Sequence, residues 1–201
     1  MTTVIQGYEL IHCLEKNDNY TLYRGYRTEN RQAVLLKVCS SPRPTTEELS
    51  SIVHDYHIAQ QIKSKGILRP ISLERHQHAP IIIYEPFEGT TLKKHLMNRH
   101  LEMSVFLRIA LQLATTLDQI HQHHIIHKSI HPGNILIAAR TNEVKLAGFH
   151  FATKLSQEVQ QEVQFNTRTY MIEGIPAYVS PEQTGRMNRS LDNRTDLYSL
   201  G

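Results

Sequence analysis

Cysteine is scarce in this chain: Cys13 and Cys39 are the only two among 201 residues. They match no metal-ligand spacing, and two thiols do not make a disulfide framework. A reducing, cytoplasmic setting is therefore the expectation. Long hydrophobic runs are missing as well. No window approaches the roughly 18 apolar residues of a membrane span. The opening MTTVIQGYEL has neither the basic nor the apolar region of a secretory signal, so no membrane is expected among the partners. Charge of one sign is also lacking. The 22 Lys and Arg and 19 Asp and Glu residues are interspersed, the formal net charge is +3, and no basic run reaches nucleic-acid-binding density. Nucleic acid is accordingly not expected as a partner. Internal repeats and low-complexity tracts are absent too.

What is present is the make-up of an ordinary globular chain, 40% hydrophobic and 20% charged, sufficient for one or two packed lobes. Histidine is abundant, with 13 residues. In HQHHIIH, His123 and His127 would share one helical face if a helix ran through them, which raises a metal-binding reading. A polar helix end followed by a loop is the plainer and preferred one.

Short runs alternating apolar and polar, YELIHCL, YTLYRGYR and QAVLLKVC, are separated by the turn-rich EKNDN and RTENR and predict three antiparallel strands. Thr45, with Glu48 three positions on, forms a capping-box pattern. The apolar series Leu49, Ile52, Val53, Tyr56, Ala59 and Ile62 then predicts one amphipathic helix over about 46–64. ILRPISLE and APIIIYEPF read as two further strands. From Val105, the series Phe106, Ile109, Ala110, Leu113, Leu117 and Ile120 predicts a long helix with one buried side. NILIAA and EVKLAGF read as a hairpin about the turn Arg140 to Asn142.

This order, followed by IIHKSIHPGNILI, resembles a eukaryotic-like serine/threonine protein kinase over essentially the whole chain. The resemblance implies an α+β, bilobal kinase-like fold. Residues 1–88 would be an N-lobe of five strands and one helix, and residues 89–201 a mainly helical C-lobe that stops before its last helices. Lys37 corresponds to the lysine of the third strand, and Asp55 to its acidic partner on the following helix, with Glu47 or Glu48 as substitutes in another register. His127, Lys128 and Ser129 stand at the catalytic-loop His-Arg-Asp, Asn134 at the metal-binding Asn, and Gly148, Phe149 and His150 at Asp-Phe-Gly. Ser180, Pro181 and Glu182 stand at Ala-Pro-Glu, and Asp196 opens the central helix. Leu22, Leu35, Glu85, Phe87 and Leu136 fall where the family contacts the nucleotide, and Tyr84 at the gatekeeper. The stretch AYVSPEQTGRMNRSLDNRTDLYSLG resembles bacterial multidomain signalling proteins in which a kinase-like domain precedes ATPase, sensor and histidine-kinase modules. That implies other signalling domains or proteins as partners, including C-terminal domains.

The family's cofactors are ATP and Mg²⁺, and here their binding is expected to be weak or absent. Ser129 replaces the carboxylate that accepts the substrate proton, a loss of about 10² to 10⁴ in rate. Gly148 removes the main anionic ligand of Mg²⁺, leaving Asn134 as a single neutral amide. The phosphate-covering loop has Glu15, Asn17 and Tyr20 where glycines are expected, adding negative charge and bulk. The leading expectation is a pseudokinase signalling module. The alternatives are a residual ATP-dependent kinase using Lys37, Asn134 and an unconventional metal ligand such as Asp55, and a truncated gene product without function. Ser156, Thr167, Thr169 and Tyr170 are candidate phosphorylation sites that could dock on Lys128, although an unmodified polar loop is the preferred reading.

Overall fold

The computed structural model describes residues 5–41, 43–77, 79–97, 100–155, 176–184 and 190–201. Strands β1 (Tyr8–Lys16), β2 (Tyr20–Arg27) and β3 (Ala33–Cys39), helix α1 (Thr46–Gln61), and strands β4 (Pro70–His76) and β5 (Ala79–Tyr84) follow in order. The five strands form one sheet in the order β1-β2-β3-β5-β4, with every neighbour antiparallel. Strand β3 lies inside the sheet, so its run AVLLKVC is buried almost throughout. That is why Lys37 on it must find its partners within the protein.

Helix α1 begins as the capping box predicts. The Thr45 side chain accepts from the Glu48 N–H at 3.2 Å, and the Glu48 carboxylate accepts from the Thr45 N–H at 2.6 Å. Two amides that no turn of helix could satisfy are thereby paired. The buried face is rotated from the one expected. Ile52, Asp55, Ile58 and Ala59 are buried, whereas Val53 and Tyr56 are only half-buried. Counting apolar residues could not anticipate that an acid, Asp55, turns inward.

The lower lobe contains β6 (Thr90–Thr91), α2 (Leu92–Leu96), α3 (Met103–Gln122), β7 (Ile125–Ile126), β8 (Ile135–Ala138), β9 (Glu143–Leu146), β10 (Thr153–Lys154) and α4 (Arg194–Leu200). A small sheet runs β6-β8-β9, and β7 pairs with β10. Helix α3 buries Ile109, Leu113, Thr116, Leu117 and Ile120, but Phe106 is 52% exposed. The predicted buried stripe thus starts one turn later than expected. Helix α3 ends at Gln122, His124 is left-handed with φ 57°, and the chain reverses into β7. His123 and His127 therefore share no helical face, and the metal reading of that stretch loses its premise.

The lobes are tied behind the cleft. The Leu146 N–H donates to the Gly66 carbonyl at 2.7 Å and the Leu68 N–H to the Leu146 carbonyl at 2.8 Å, joining the turn after α1 to β9. Among the described residues, no helix is long and apolar enough to cross a membrane.

Candidate functional site

Lys37 and Asp55 form an ion pair in which both side chains are almost wholly inaccessible. The partner expected on α1 is therefore the one found, and the alternative registers through Glu47 and Glu48 are not used. Asp55 also accepts the Phe149 N–H at 2.9 Å. Burial drives its carboxyl upward, but the Lys37 charge and the hydrogen bonds of Lys37 and Phe149 outweigh that and hold its pKa below the ordinary carboxylate value. The other side of the ammonium faces an aromatic ring: Lys37 Nζ lies 3.9 Å from the centroid of Tyr20. A cation–π contact of this kind compensates part of the desolvation of a buried cation.

Tyr20 is the first residue of β2, and its hydroxyl crosses the cleft to donate to Asn134 Oδ1 at 2.8 Å. Burial first, and the Asp55 charge next, raise the phenol pKa well above its usual value, so it stays a donor. Asn134 is committed on its other side as well. Its Nδ2 donates to the Ser129 carbonyl at 2.8 Å and to the Ser129 hydroxyl at 3.1 Å. The chain Tyr20–Asn134–Ser129 thus occupies the place where the sequence reading looked for metal and phosphate ligands.

His127 is fully buried. Its Nδ1 accepts the Ser129 N–H at 3.2 Å, which leaves Nε2 as the protonated nitrogen, donating to the Ala147 carbonyl at 3.2 Å. The neutral ring fits its depressed pKa, whose main cause is burial. The ring packs edge-on against Phe149 at 4.6 Å between centroids. Asp196 at the start of α4 organises the loop from below. Its carboxylate accepts the N–H groups of His127 and Lys128, each at 2.8 Å, and contacts His121 Nε2 at 2.8 Å. These bonds hold Lys128 in a left-handed conformation, φ 62°, and its carbonyl accepts from Gln183 at 3.0 Å. Glu182 accepts the Thr195 hydroxyl at 2.9 Å.

Gly148 has φ +86°, and a Cβ there would stand 2.5 to 2.6 Å from the side-chain atoms of Asn134. A side chain at this position would meet both backbone strain and a collision. The absence of a carboxylate at Gly148 and the position of the Asn134 amide are thus two aspects of one arrangement.

The residues expected to contact a nucleotide base pack on one another. Leu22, Leu35, Tyr84, Phe87 and Leu136 form a single apolar cluster with Leu14, Tyr20, Ile52, Leu68 and Ile82. Leu35 is 0% and Leu136 1% exposed. Lined by Tyr20, Leu22, Lys37, Leu68, Tyr84, Gly133, Asn134, Leu136, Ala147 and Gly148, the cavity that remains measures about 10 Å³, room for about one water. Glu85 is turned aside and pairs with Lys145 at 3.0 Å. Its backbone N–H donates to the Arg69 carbonyl at 3.0 Å.

One expectation needs correction. Glu15 does not add unbalanced negative charge to the loop over the cleft. It is buried, accepts the Thr91 hydroxyl at 3.2 Å, and lies 3.5 Å from Lys93 Nζ. Asn17 closes the β1–β2 turn, its Oδ1 accepting the N–H groups of Asn19 and Tyr20 at 3.0 and 2.8 Å. Two histidines that sequence reasoning left without a role adjoin the site. Burial lowers the pKa of His131 to about 4, and burial together with the Lys37 charge lowers that of His150 to about 3. Ser156, Thr167, Thr169 and Tyr170 lie outside the described residues.

Comparison with known proteins agrees with this layout. A family model for the protein kinase domain matches residues 19–201. Serine/threonine-protein kinase TIO of Arabidopsis thaliana is 26% identical over 200 residues, 98% of this chain and 14% of that protein. Serine/threonine-protein kinase 36 of Pongo abelii is 25% identical over 197 residues, 98% of this chain and 14% of the relative. Serine/threonine-protein kinase ULK3 of Xenopus laevis is 26% identical over 200 residues, 98% of this chain and 41% of the relative. The chain therefore spans less than half of these relatives' length. With an antiparallel five-stranded sheet over a helical lobe, a buried Lys37–Asp55 pair joining that sheet to helix α1 and a family match across residues 19–201, the chain belongs to the protein kinase domain family.

Proposed function

We propose that this kinase domain acts as a binding or regulatory module with little or no phosphate transfer. The observation that carries this reading is the commitment of Asn134: its amide oxygen takes the Tyr20 hydroxyl and its nitrogen takes Ser129. Members of this family generally use ATP and Mg²⁺, and the residues present do not fit that pair in this arrangement. Mg²⁺ requires carboxylate or phosphate oxygens in near-octahedral array. Ser129 and Gly148 supply no carboxylate, and the neighbouring Asp55 is engaged by Lys37 and Phe149. Drug-sized ligands occupy roughly 300–1,000 Å³, far above the cavity described. The likeness of residues 177–201 to bacterial multidomain signalling proteins favours a partner among other signalling domains or proteins.

A second reading, a residual ATP-dependent serine/threonine kinase, is favoured by the intact Lys37–Asp55 pair. The deciding experiment is a thermal-shift titration with ATP, with and without Mg²⁺, paired with a radiolabelled phosphate-transfer assay. No shift and no transfer are expected. A Mg²⁺-dependent shift accompanied by transfer establishes the second reading in place of the first.

A further inference from the structure

Two side chains at the ends of the β1–β2 turn, Glu15 and Tyr20, face the lower lobe. Three residues near the tip of this one hairpin, Cys13, Glu15 and Tyr20, make contacts across the cleft. Tyr20 donates to Asn134 at 2.8 Å in a buried bond. Glu15 accepts from Thr91 at 3.2 Å and pairs with Lys93 at 3.5 Å. The Cys13 carbonyl accepts Lys94 Nζ at 3.0 Å. Thr91 is itself the cap of α2, its hydroxyl also accepting the Lys94 N–H at 3.3 Å, so the hairpin is fastened to the start of a helix rather than to a loose loop. The contacts differ in weight. Lys93 is 60% exposed at its side chain and its pairing is screened by water. The Tyr20 and Glu15–Thr91 bonds are buried, and breaking either would strand a polar group out of reach of solvent.

Hinged two-lobe proteins ordinarily close around a ligand that bridges the lobes. Here one side chain meets both the lysine and the metal-position Asn that a bound nucleotide and its metal would engage: the Tyr20 ring faces the Lys37 cation and its hydroxyl donates to the Asn134 amide oxygen. We propose that Tyr20, seconded by Glu15, is a built-in latch that stands in for nucleotide and keeps the two lobes closed, with Lys37 and Asp55 paired, without any ligand. This deepens the regulatory reading above, since a module closed by its own residues presents one fixed surface whatever the nucleotide concentration.

The test uses the 201-residue chain as wild type, Tyr20→Phe, Tyr20→Gly and Glu15→Gln, followed by amide hydrogen exchange. Tyr20→Phe keeps the ring and its packing and removes only the bond to Asn134. Its expected result is exchange raised roughly tenfold in residues 127–134, the effect of losing one buried hydrogen bond, while β3 and β5 stay at wild-type rates. Tyr20→Gly is expected to raise exchange on both sides of the cleft together, and to gain a thermal shift with ATP in the absence of Mg²⁺ as Lys37 becomes reachable. Glu15→Gln is expected to raise exchange at residues 91–94. The latch is overturned if residues 127–134 exchange at the wild-type rate in Tyr20→Phe, or if the wild-type chain binds ATP as tightly as Tyr20→Gly. Phosphate transfer by the wild type, by contrast, would overturn the proposed function while leaving the exchange comparison standing, so the two failures are distinguishable.

Discussion

Asp55 accepts the backbone N–H of Phe149 at 2.9 Å with one oxygen while its other oxygen pairs with Lys37. A single carboxylate thus joins the sheet, helix α1 and the loop that follows β9. Removing its charge strands a buried ammonium. Asp55→Asn is expected to destabilise the fold by about 3–5 kcal/mol, read as a lower midpoint in urea at unchanged slope. Adding Lys37→Met to that variant should recover a large part of the loss, because no uncompensated charge then remains. Equal midpoints for the single and double variants would refute the account.

Stability should depend on acid in a specific window. Burial lowers His131 to about 4 and His150 to about 3, against an unfolded value of about 6.5. Between those values the unfolded chain binds more protons than the folded one, so stability rises with pH. The contribution is complete above about pH 6.5 and is lost as pH falls toward 4 and then 3, at up to about 1.4 kcal/mol per pH unit for each group. Asp55, held below the ordinary carboxylate value, adds a further loss as pH drops through the carboxylate range. Urea midpoints measured from pH 7 to 4 check this. His131→Gln should flatten the upper part of the slope, and an unchanged slope would assign it to other groups.

Helix α1 offers a local test. The Thr45 hydroxyl caps it, and Thr45→Ala should cost about 1 kcal/mol, whereas Thr45→Ser should cost less. Circular dichroism during thermal unfolding distinguishes them.

Gly148 makes a sharper prediction. Given φ +86° and the nearness of Asn134, Gly148→Ala should destabilise by about 1–3 kcal/mol. For the same reason, Ser129→Asp with Gly148→Asp should not restore phosphate transfer, since the Asn134 amide remains held by Tyr20. Adding Tyr20→Gly to this pair releases the Asn134 oxygen, and any transfer is expected only in that triple variant. Transfer by the double variant would show that Tyr20 is no obstacle.

The parts of this protein that were legible in its sequence are those set by neighbours along the chain. The Thr45–Glu48 box, the alternation of the first three strands and the motif His127–Asn134 are local patterns whose physics operates within a few residues. The pairing of Lys37 with Asp55 was reachable only through the resemblance to kinases, which implies an acidic partner on the following helix and left Glu47 and Glu48 as other registers. The Tyr20–Asn134 bond was not reachable, since 114 residues separate the two and no local signal marks either as the other's partner. Glu15 was misread for the same reason: its charge is visible in sequence, but Thr91 and Lys93 beside it are not. Phe106 shows a different limit. Amphipathic spacing identifies a face of α3 but not how far along the helix that face is covered.

The bonds of α1 also have a mechanical consequence. His54 contacts the Ala152 carbonyl at 2.7 Å, and Asp55 one position on holds Phe149, so consecutive side chains of this helix grip the loop below the cleft while its start hangs from the sheet through the β3–α1 connection. A helix joined at its start to the sheet and gripped at its middle by the lower lobe transmits load between them. A protein that pulled on the exposed outer side of α1 would therefore act on the backbone around Phe149 as well as on the sheet, making this helix a strut between the lobes.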